Sequence, residues 1–185
     1  MNTISETEIE TITSLLSQLT PGYLPFSIFC QVARLTATPI VELVPLRFIN
    51  GRSEVLLLKR DPDDPIYSGK VHVPGTVVRA TDTLDTAFHR LFAEELKGIA
   101  LSSPVFVKNV IHHSGRGNEV AQIYWAEVIT APKDARFYDA NDLPAELIMS
   151  QLDFIPDVVN EYAQTRQVRN QKSTTTPRLL AVGTN

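Results

Sequence analysis

Hydrophobic positions near the start of the chain recur at helical spacing. Ile9, Ile12, Leu15, Leu16 and Leu19 fall on one face, and the pattern predicts a helix over Ser5 to Leu19. Ser5 followed by Glu8 has the spacing of a capping box, in which two side chains satisfy exposed N–H groups reciprocally, and Pro21-Gly22 ends the helix. A second short helix is predicted from Pro25 to Leu35 with Phe26, Phe29, Cys30 and Ala33 buried, which makes Cys30 a structural thiol. From Pro39 the pattern changes to that of strands. Ile40 to Phe48 alternates loosely, Glu54 to Leu58 is a short apolar run, and Asn50-Gly51 between them is a hairpin signal because both residues tolerate positive φ.

Asp61-Pro62-Asp63-Asp64-Pro65 is a loop, Lys70 to Val73 a short strand, and Pro74-Gly75 a turn. Asp82 to Leu96 reads as a helix, capped by Asp82 or Thr83 and closed by Gly98. Val105 to Ile111 and Val120 to Ile129 are strands joined by a Gly-rich turn from His112 to Asn118, and Arg136 to Tyr138 is a last short strand. A helix from about Ser150 to Gln164 follows, with Pro156 in its first turn or at a break. The polar residues after it read as a loosely held tail, apolar only at Leu179 to Val182. The pattern divides the chain into a helical N-terminal extension over 1–38, packed on an α+β domain over 39–165, and a polar tail over 166–185.

On a helical wheel Leu84, Ala87, Phe88 and Leu91 form an apolar arc, widened by Phe92 and Leu96. Glu95 falls inside this arc and Glu94 lies at its other edge. A carboxylate on a core-facing stripe is costly to desolvate without a cation or several donors. Either the helix end emerges into water, or the two acids serve a site.

Composition narrows the classes. The 185 residues are 43% hydrophobic and 21% charged, a balance that supports a packed core and argues against disorder. One cysteine excludes a disulfide framework. The formal net charge of −4 argues against nucleic acid and acidic membranes as partners. No apolar run is long enough to span a bilayer, and the acidic start of the chain does not read as an export signal, so the expected location is cytoplasmic.

Residues 69 to 98, GKVHVPGTVVRATDTLDTAFHRLFAEELKG, resemble the signature of the Nudix hydrolases, Gly-x5-Glu-x7-Arg-Glu-U-x-Glu-Glu-x-Gly-U with U aliphatic. Aligned on the acidic pair, Arg90 takes the Arg position, Phe92 the U and Glu94-Glu95 the Glu-Glu. Asp82 stands for the first Glu and Thr76 for the first Gly, after His72-Val73-Pro74-Gly75. Leu91 replaces the Glu that follows Arg, and Lys97-Gly98 displaces the terminal Gly by one. EVLLLKRDPDDPIYSGK upstream, and EVAQIYWAEV and FYDANDLPAELI downstream, extend the resemblance over roughly residues 40 to 160.

The resemblance implies a Nudix-like α/β/α sandwich around a mixed sheet. It also implies hydrolysis of a nucleoside diphosphate derivative by metal-activated water, with Mg2+ or Mn2+ as cofactor. Glu94 and Glu95 would be metal ligands, with the backbone carbonyl near Gly75 or Thr76 a further one. Arg90 would pair with Asp82, a contact altered by the shorter Asp. Leu91 can neither bind metal nor activate water, so the resemblance implies a weakened site. Glu119 and Asp134 are candidate replacement bases outside the box, and His72, His113, Arg116 and Glu119 are candidate substrate contacts. Adjacent His112 and His113 point to opposite faces of a strand, so at most one faces a pocket. Tyr124 and Trp125 lie in a strand, where one packs in the core and either stacks on a base only if its face opens to the cleft.

Two functional readings follow: a metal-dependent hydrolase with a remodelled site, and an inactive Nudix-like domain that binds a nucleotide or a protein partner. A third is an unrelated α+β domain whose acidic pair meets solvent. A homodimer, through the N-terminal helix, is also an expectation of the resemblance.

Overall fold

The computed structural model describes residues 4–174. In chain order its elements are α1 (Glu6–Ser17), α2 (Phe26–Leu35), β1 (Ala37–Ile49), β2 (Arg52–Leu56), β3 (Leu58–Lys59), β4 (Val71–His72), β5 (Gly75–Val77), α3 (Leu84–Glu95), β6 (Ala100–Leu101), β7 (Val105–Ser114), β8 (Gly117–Thr130), β9 (Phe137–Asp139) and α4 (Ile155–Thr174). A 3-10 turn over Met149–Asp153 precedes α4. Among the described residues no helix is long and apolar enough to cross a membrane.

β1 and β8 run parallel in the middle of a mixed sheet. β2 and β5 pair antiparallel with β1, β6 and β7 with β8, and β9 with β2. β3 and β4 form a separate two-stranded ladder. The β1–β2 hairpin turns at Asn50 and Gly51, whose φ values of 52° and 82° are the left-handed geometry a two-residue hairpin needs.

Strand alternation distributes the core over both faces of the sheet. Val41 and Leu43 of β1 join Leu56, Leu91, Leu96 and Ala126 on the α3 face. Ile40, Val44 and Leu46 join Trp125, Phe154, Val158 and Tyr162 on the α4 face. The result is the expected α/β/α arrangement, with α3 and α4 on opposite sides of a mixed sheet.

Several boundaries differ from the sequence reading. β7 and β8 extend through His113, Ser114, Gly117 and Asn118, so the expected Gly-rich turn shrinks to Gly115-Arg116. Gly75 opens a short strand on β1 instead of ending in a turn. α4 continues to Thr174 where a tail is expected from 166. The segment holds good helix formers and no Gly or Pro, and Arg166 Nη1 anchors it to Glu127 Oε1 at 2.6 Å. Residues 175–185, including Leu179 to Val182, lie outside the described residues.

The N-terminal helices behave differently from each other. α1 has the expected capping box between Ser5 and Glu8, but buries none of its residues. Ile9, Ile12, Leu15 and Leu16 are all exposed, and of the two helices it is α2 that packs on β1 and β8. In α2 only Ala33 is buried; Phe29 and Cys30 are half-buried and Phe26 is exposed, which corrects the expectation for these residues. Ala33 meets the β7–β8 hairpin where Gly117, at φ +135°, leaves no room for a Cβ: one there would lie 2.5 Å from Ala33 O.

Candidate functional site

The segment that enters α3 is framed by Arg90. Its Nη1 donates to both carboxylate oxygens of Asp82, at 2.9 and 2.7 Å, and its Nη2 donates to Val77 O at 2.6 Å and Thr76 Oγ1 at 3.2 Å. Asp82 is therefore not the cap of α3. Thr83 takes that role, accepting from Thr86 N. Burial pushes the Asp82 carboxyl upward, but the Arg79 N–H and the Arg90 guanidinium outweigh it and hold it below the usual carboxylate value.

At the other end of α3, Glu95 Oε2 accepts the Gly75 N–H at 3.1 Å. Burial raises the Glu95 carboxyl above its ordinary value, only partly opposed by that hydrogen bond. Glu94 beside it is exposed. Leu91 is 1% exposed and packs against Val41, Leu43 and Leu56, well inside the core. The box therefore offers one carboxylate spent on a backbone N–H and one in solvent. Among the described residues no three His, Cys, Asp or Glu side chains gather to hold a metal ion. The donor set expected for Mg2+ or Mn2+, hard cations that want several oxygens, does not fit at this position.

What the fold does assemble is a cationic cavity of about 220 Å³, lined by Arg60, Arg79 and Arg116 together with Glu42, Gly75 and Thr76. The three arginines come from the end of the β3 segment, the loop before α3 and the β7–β8 turn. Arg116 Nη2 donates to Glu119 Oε1 at 2.7 Å, and His112 Nε2 donates to Glu119 Oε2 at 3.0 Å. The Glu119 hydrogen bond raises the His112 imidazole above its ordinary value. Burial works against the Glu119 carboxylate, but His112 and Arg116 outweigh it and hold it low. Arg60 and Arg116 each keep a buried Nε without a hydrogen-bond partner.

Glu42 lies on β1 directly opposite Gly75 of β5. Gln151 Nε2 donates to its Oε1 at 2.9 Å, and Gln151 Oε1 in turn accepts the Val73 N–H at 2.9 Å. Burial pushes the Glu42 carboxyl up, with Gln151 opposing.

Of the residues singled out from sequence, Thr76 and Arg116 line the cavity, Glu119 stands behind Arg116, and Glu95 is tied to the cavity's Gly75. His72 is buried and does not line it: its Nδ1 donates to Val73 O at 2.7 Å, and burial first, then Arg60, lowers its pKa to about 4. His113 is exposed and bonded to Asn118, and His112 is the inward member of the pair. Asp134 is exposed in the loop after β8. Trp125 is buried in the core, while Tyr124 lines a second, aromatic cleft with Phe88 and Phe92. Glu42, Arg60, Arg79 and Gln151 escaped the sequence reading, which weighs His112 only as one of a pair with His113. Only Glu42 carries a signal, as the single charged residue in the run IVELVPL.

No protein-family model and no curated protein sequence matches the chain. Solved structures do. A MutT protein from Methanosarcina mazei Go1 is 19% identical over 68% of this chain and 95% of its own, with a TM-score of 0.56. A mutT/nudix family protein from Listeria innocua is 19% identical over 72% of this chain and 99% of its own, with a TM-score of 0.53. The Nudix domain of Shewanella oneidensis NrtR, solved in complex with ADP ribose, is 19% identical over 89% of this chain and 99% of its own, with a TM-score of 0.51.

Proposed function

We propose, from the premise that the chain has the Nudix fold of these structures, that its cavity binds a nucleoside diphosphate derivative without metal-assisted hydrolysis. The observation that carries this reading is the contrast at the cavity: Arg60, Arg79 and Arg116 converge there, while the carboxylates that would hold a metal do not. Guanidinium groups match phosphate oxygens in shape and charge, and three of them line this one cavity. The ADP ribose bound by the Shewanella Nudix domain supports the ligand class. Because the metal donors do not fit, no catalytic step is assigned to Mg2+ or Mn2+.

The hydrolase reading is the second one. It is favoured by the frame of the box, since Arg90 still clamps Asp82 and Glu95 still reaches Gly75. One experiment separates the two. ADP, ADP-ribose, UDP-glucose and inorganic pyrophosphate are titrated calorimetrically against the full chain, and phosphate release is followed with Mg2+ and with Mn2+. Saturable binding of pyrophosphate and of nucleotides with no turnover supports the binding domain. Metal-dependent turnover that Glu94→Gln and Glu95→Gln abolish supports the hydrolase instead. No binding of any of the four overturns the proposal.

A further inference from the structure

α3 turns Leu91 into the core and leaves an aromatic stripe beside it only partly covered. Asp85, Phe88, His89 and Phe92 recur at i, i+3, i+4 and i+7, so they share one face of the helix. With Tyr124 of β8 they line a cleft of about 350 Å³, within the ~300–1,000 Å³ of small-molecule sites. Phe88 and Tyr124 meet edge to face, with centroids 5.0 Å apart and planes at 90°, and Phe92 stands 5.8 Å from Phe88 with the planes at 36°. The three rings are set at angles to one another and so form walls. Phe88 and Phe92 are half-buried, and Phe106, 48% exposed, extends the aromatic surface from Tyr124 at 5.4 Å. Among the described residues no Lys or Arg lines the cleft. Asp85 is exposed, and its carboxylate has no hydrogen bond or ion pair among the described residues, not even with His89 one turn on.

The charge of a ligand decides how these walls receive it. An uncharged apolar ligand gains from the rings but crowds a carboxylate out of water. An anion meets Asp85 and the negative faces of the rings as repulsion. An organic cation is attracted by ring faces and carboxylate alike, and its alkyl groups bury against the same walls. A charge spread over methyl groups also sheds its water more cheaply than a compact, strongly hydrated ammonium. We propose that this cleft is a second binding site and takes a small free molecule bearing a quaternary ammonium group, with Phe88, Phe92 and Tyr124 as walls and Asp85 as counter-charge. It shares no lining residue with the arginine-lined cavity, so the site stands whether or not that cavity holds a nucleotide.

The probes are tetramethylammonium, choline and the carbon isostere of choline, in which carbon replaces the quaternary nitrogen and the charge is gone. Each is titrated calorimetrically against the full chain. Both cations are expected to saturate, and the isostere to bind about tenfold or more weakly than choline. Asp85→Asn is expected to weaken choline about threefold and to remove most of the salt dependence of its binding. Phe88→Leu and Phe92→Leu keep apolar surface but lose the ring face. Each is expected to weaken choline about threefold to tenfold and to leave the isostere within about twofold. An isostere that binds as tightly as choline makes the cleft an apolar surface only and overturns the proposal. So do Leu variants that weaken both probes by the same factor, and so does a native chain that binds neither cation. A chain that sediments with phosphatidylcholine vesicles but does not bind free choline overturns the assignment to a small free molecule. The comparison of choline with its isostere uses the native chain, so it decides the outcome even where a Leu variant fails to fold.

Discussion

Arg90 and Asp82, eight residues apart, close the segment before α3 into a ring: both carboxylate oxygens accept from one guanidinium nitrogen, and the other nitrogen holds the Val77 carbonyl. The pair is mostly buried, with 13% and 9% of the two side chains exposed. Removing one member leaves the other charge uncompensated, so Arg90→Met is expected to cost about 2–4 kcal/mol in urea unfolding. Asp82→Asn tests the same contact through pH. The Asp82 carboxyl is held low in the folded chain, so its contribution is present above the unfolded value near 3.9 and is lost as pH falls through the folded one. The variant's acid unfolding should therefore depend less on pH; an unchanged acid limb would remove Asp82 from the account.

Leu91 stands at the box position where the family signature has Glu, which suggests Leu91→Glu as a way to restore a metal ligand. The structure argues for the opposite outcome. Leu91 shares a buried apolar cluster with Val41, Leu43, Leu56 and Leu96, an environment in which a carboxylate is costly to desolvate. Leu91→Glu is expected to lose about 3–5 kcal/mol or to fail to fold, against about 2–4 kcal/mol for Leu91→Ala. A stable Leu91→Glu protein that gains metal-dependent turnover would show that the side chain reaches the cavity after all.

The sequence made local features legible and left remote ones hidden. α3, its Thr83 cap and the Asn50-Gly51 hairpin depend on neighbours a few residues apart, and all three are present. Leu91 at the centre of the apolar arc is likewise a matter of helical period, and it is core. The cavity is different, because its walls come from segments joined only by sheet pairing. Glu42 meets Gly75 through β1–β5 register, and Arg116 reaches the same place because β7 and β8 each continue three residues beyond their apolar runs. His112 and His113 show the limit: alternation says that they diverge, but only the register with Glu119 says which one points inward.

Two histidines should bracket the pH range of maximal stability from opposite sides. Burial lowers the His72 pKa to about 4, so between that value and the unfolded 6.5 the folded chain binds fewer protons than the unfolded one. Stability therefore rises with pH across this window, by up to roughly 1.4 kcal/mol per unit. His112 is raised by Glu119, so its contribution is complete below 6.5 and is lost as pH climbs through its folded value. Denaturant titrations from pH 4.5 to 9 should show His72→Gln flattening the acidic side and His112→Gln the alkaline side. Equal effects of either variant on both sides would contradict the assignment.

Gly117 ties α2 to the hairpin by having no side chain. Its φ of +135° is open mainly to glycine, and a Cβ would press on the Ala33 carbonyl, which is backbone and cannot rotate away. Gly117→Ala is expected to destabilise the chain by about 1–3 kcal/mol and to raise hydrogen exchange in α2 above that in α4. Uniform exchange in the two helices would mean that α2 is held by something other than this contact.

Arg116 does not stand alone at the cavity, and a double-mutant cycle can show it. Glu119 accepts from Arg116 at 2.7 Å and is backed by His112, so the carboxylate fixes where the guanidinium sits while it also reduces the local positive charge. The two roles predict opposite signs. If positioning dominates, Glu119→Gln weakens pyrophosphate binding; if charge dominates, the same change tightens it. The buried, doubly bonded carboxylate favours positioning. Arg116→Ala is then expected to weaken binding about tenfold and to flatten its salt dependence. Glu119→Gln should weaken it about threefold in the native background and have little further effect once Arg116 is gone, a coupling of the size found for residues acting as one unit. Additive effects in the double variant would place Glu119 and Arg116 in separate roles, and the hairpin would then serve the fold and not the ligand.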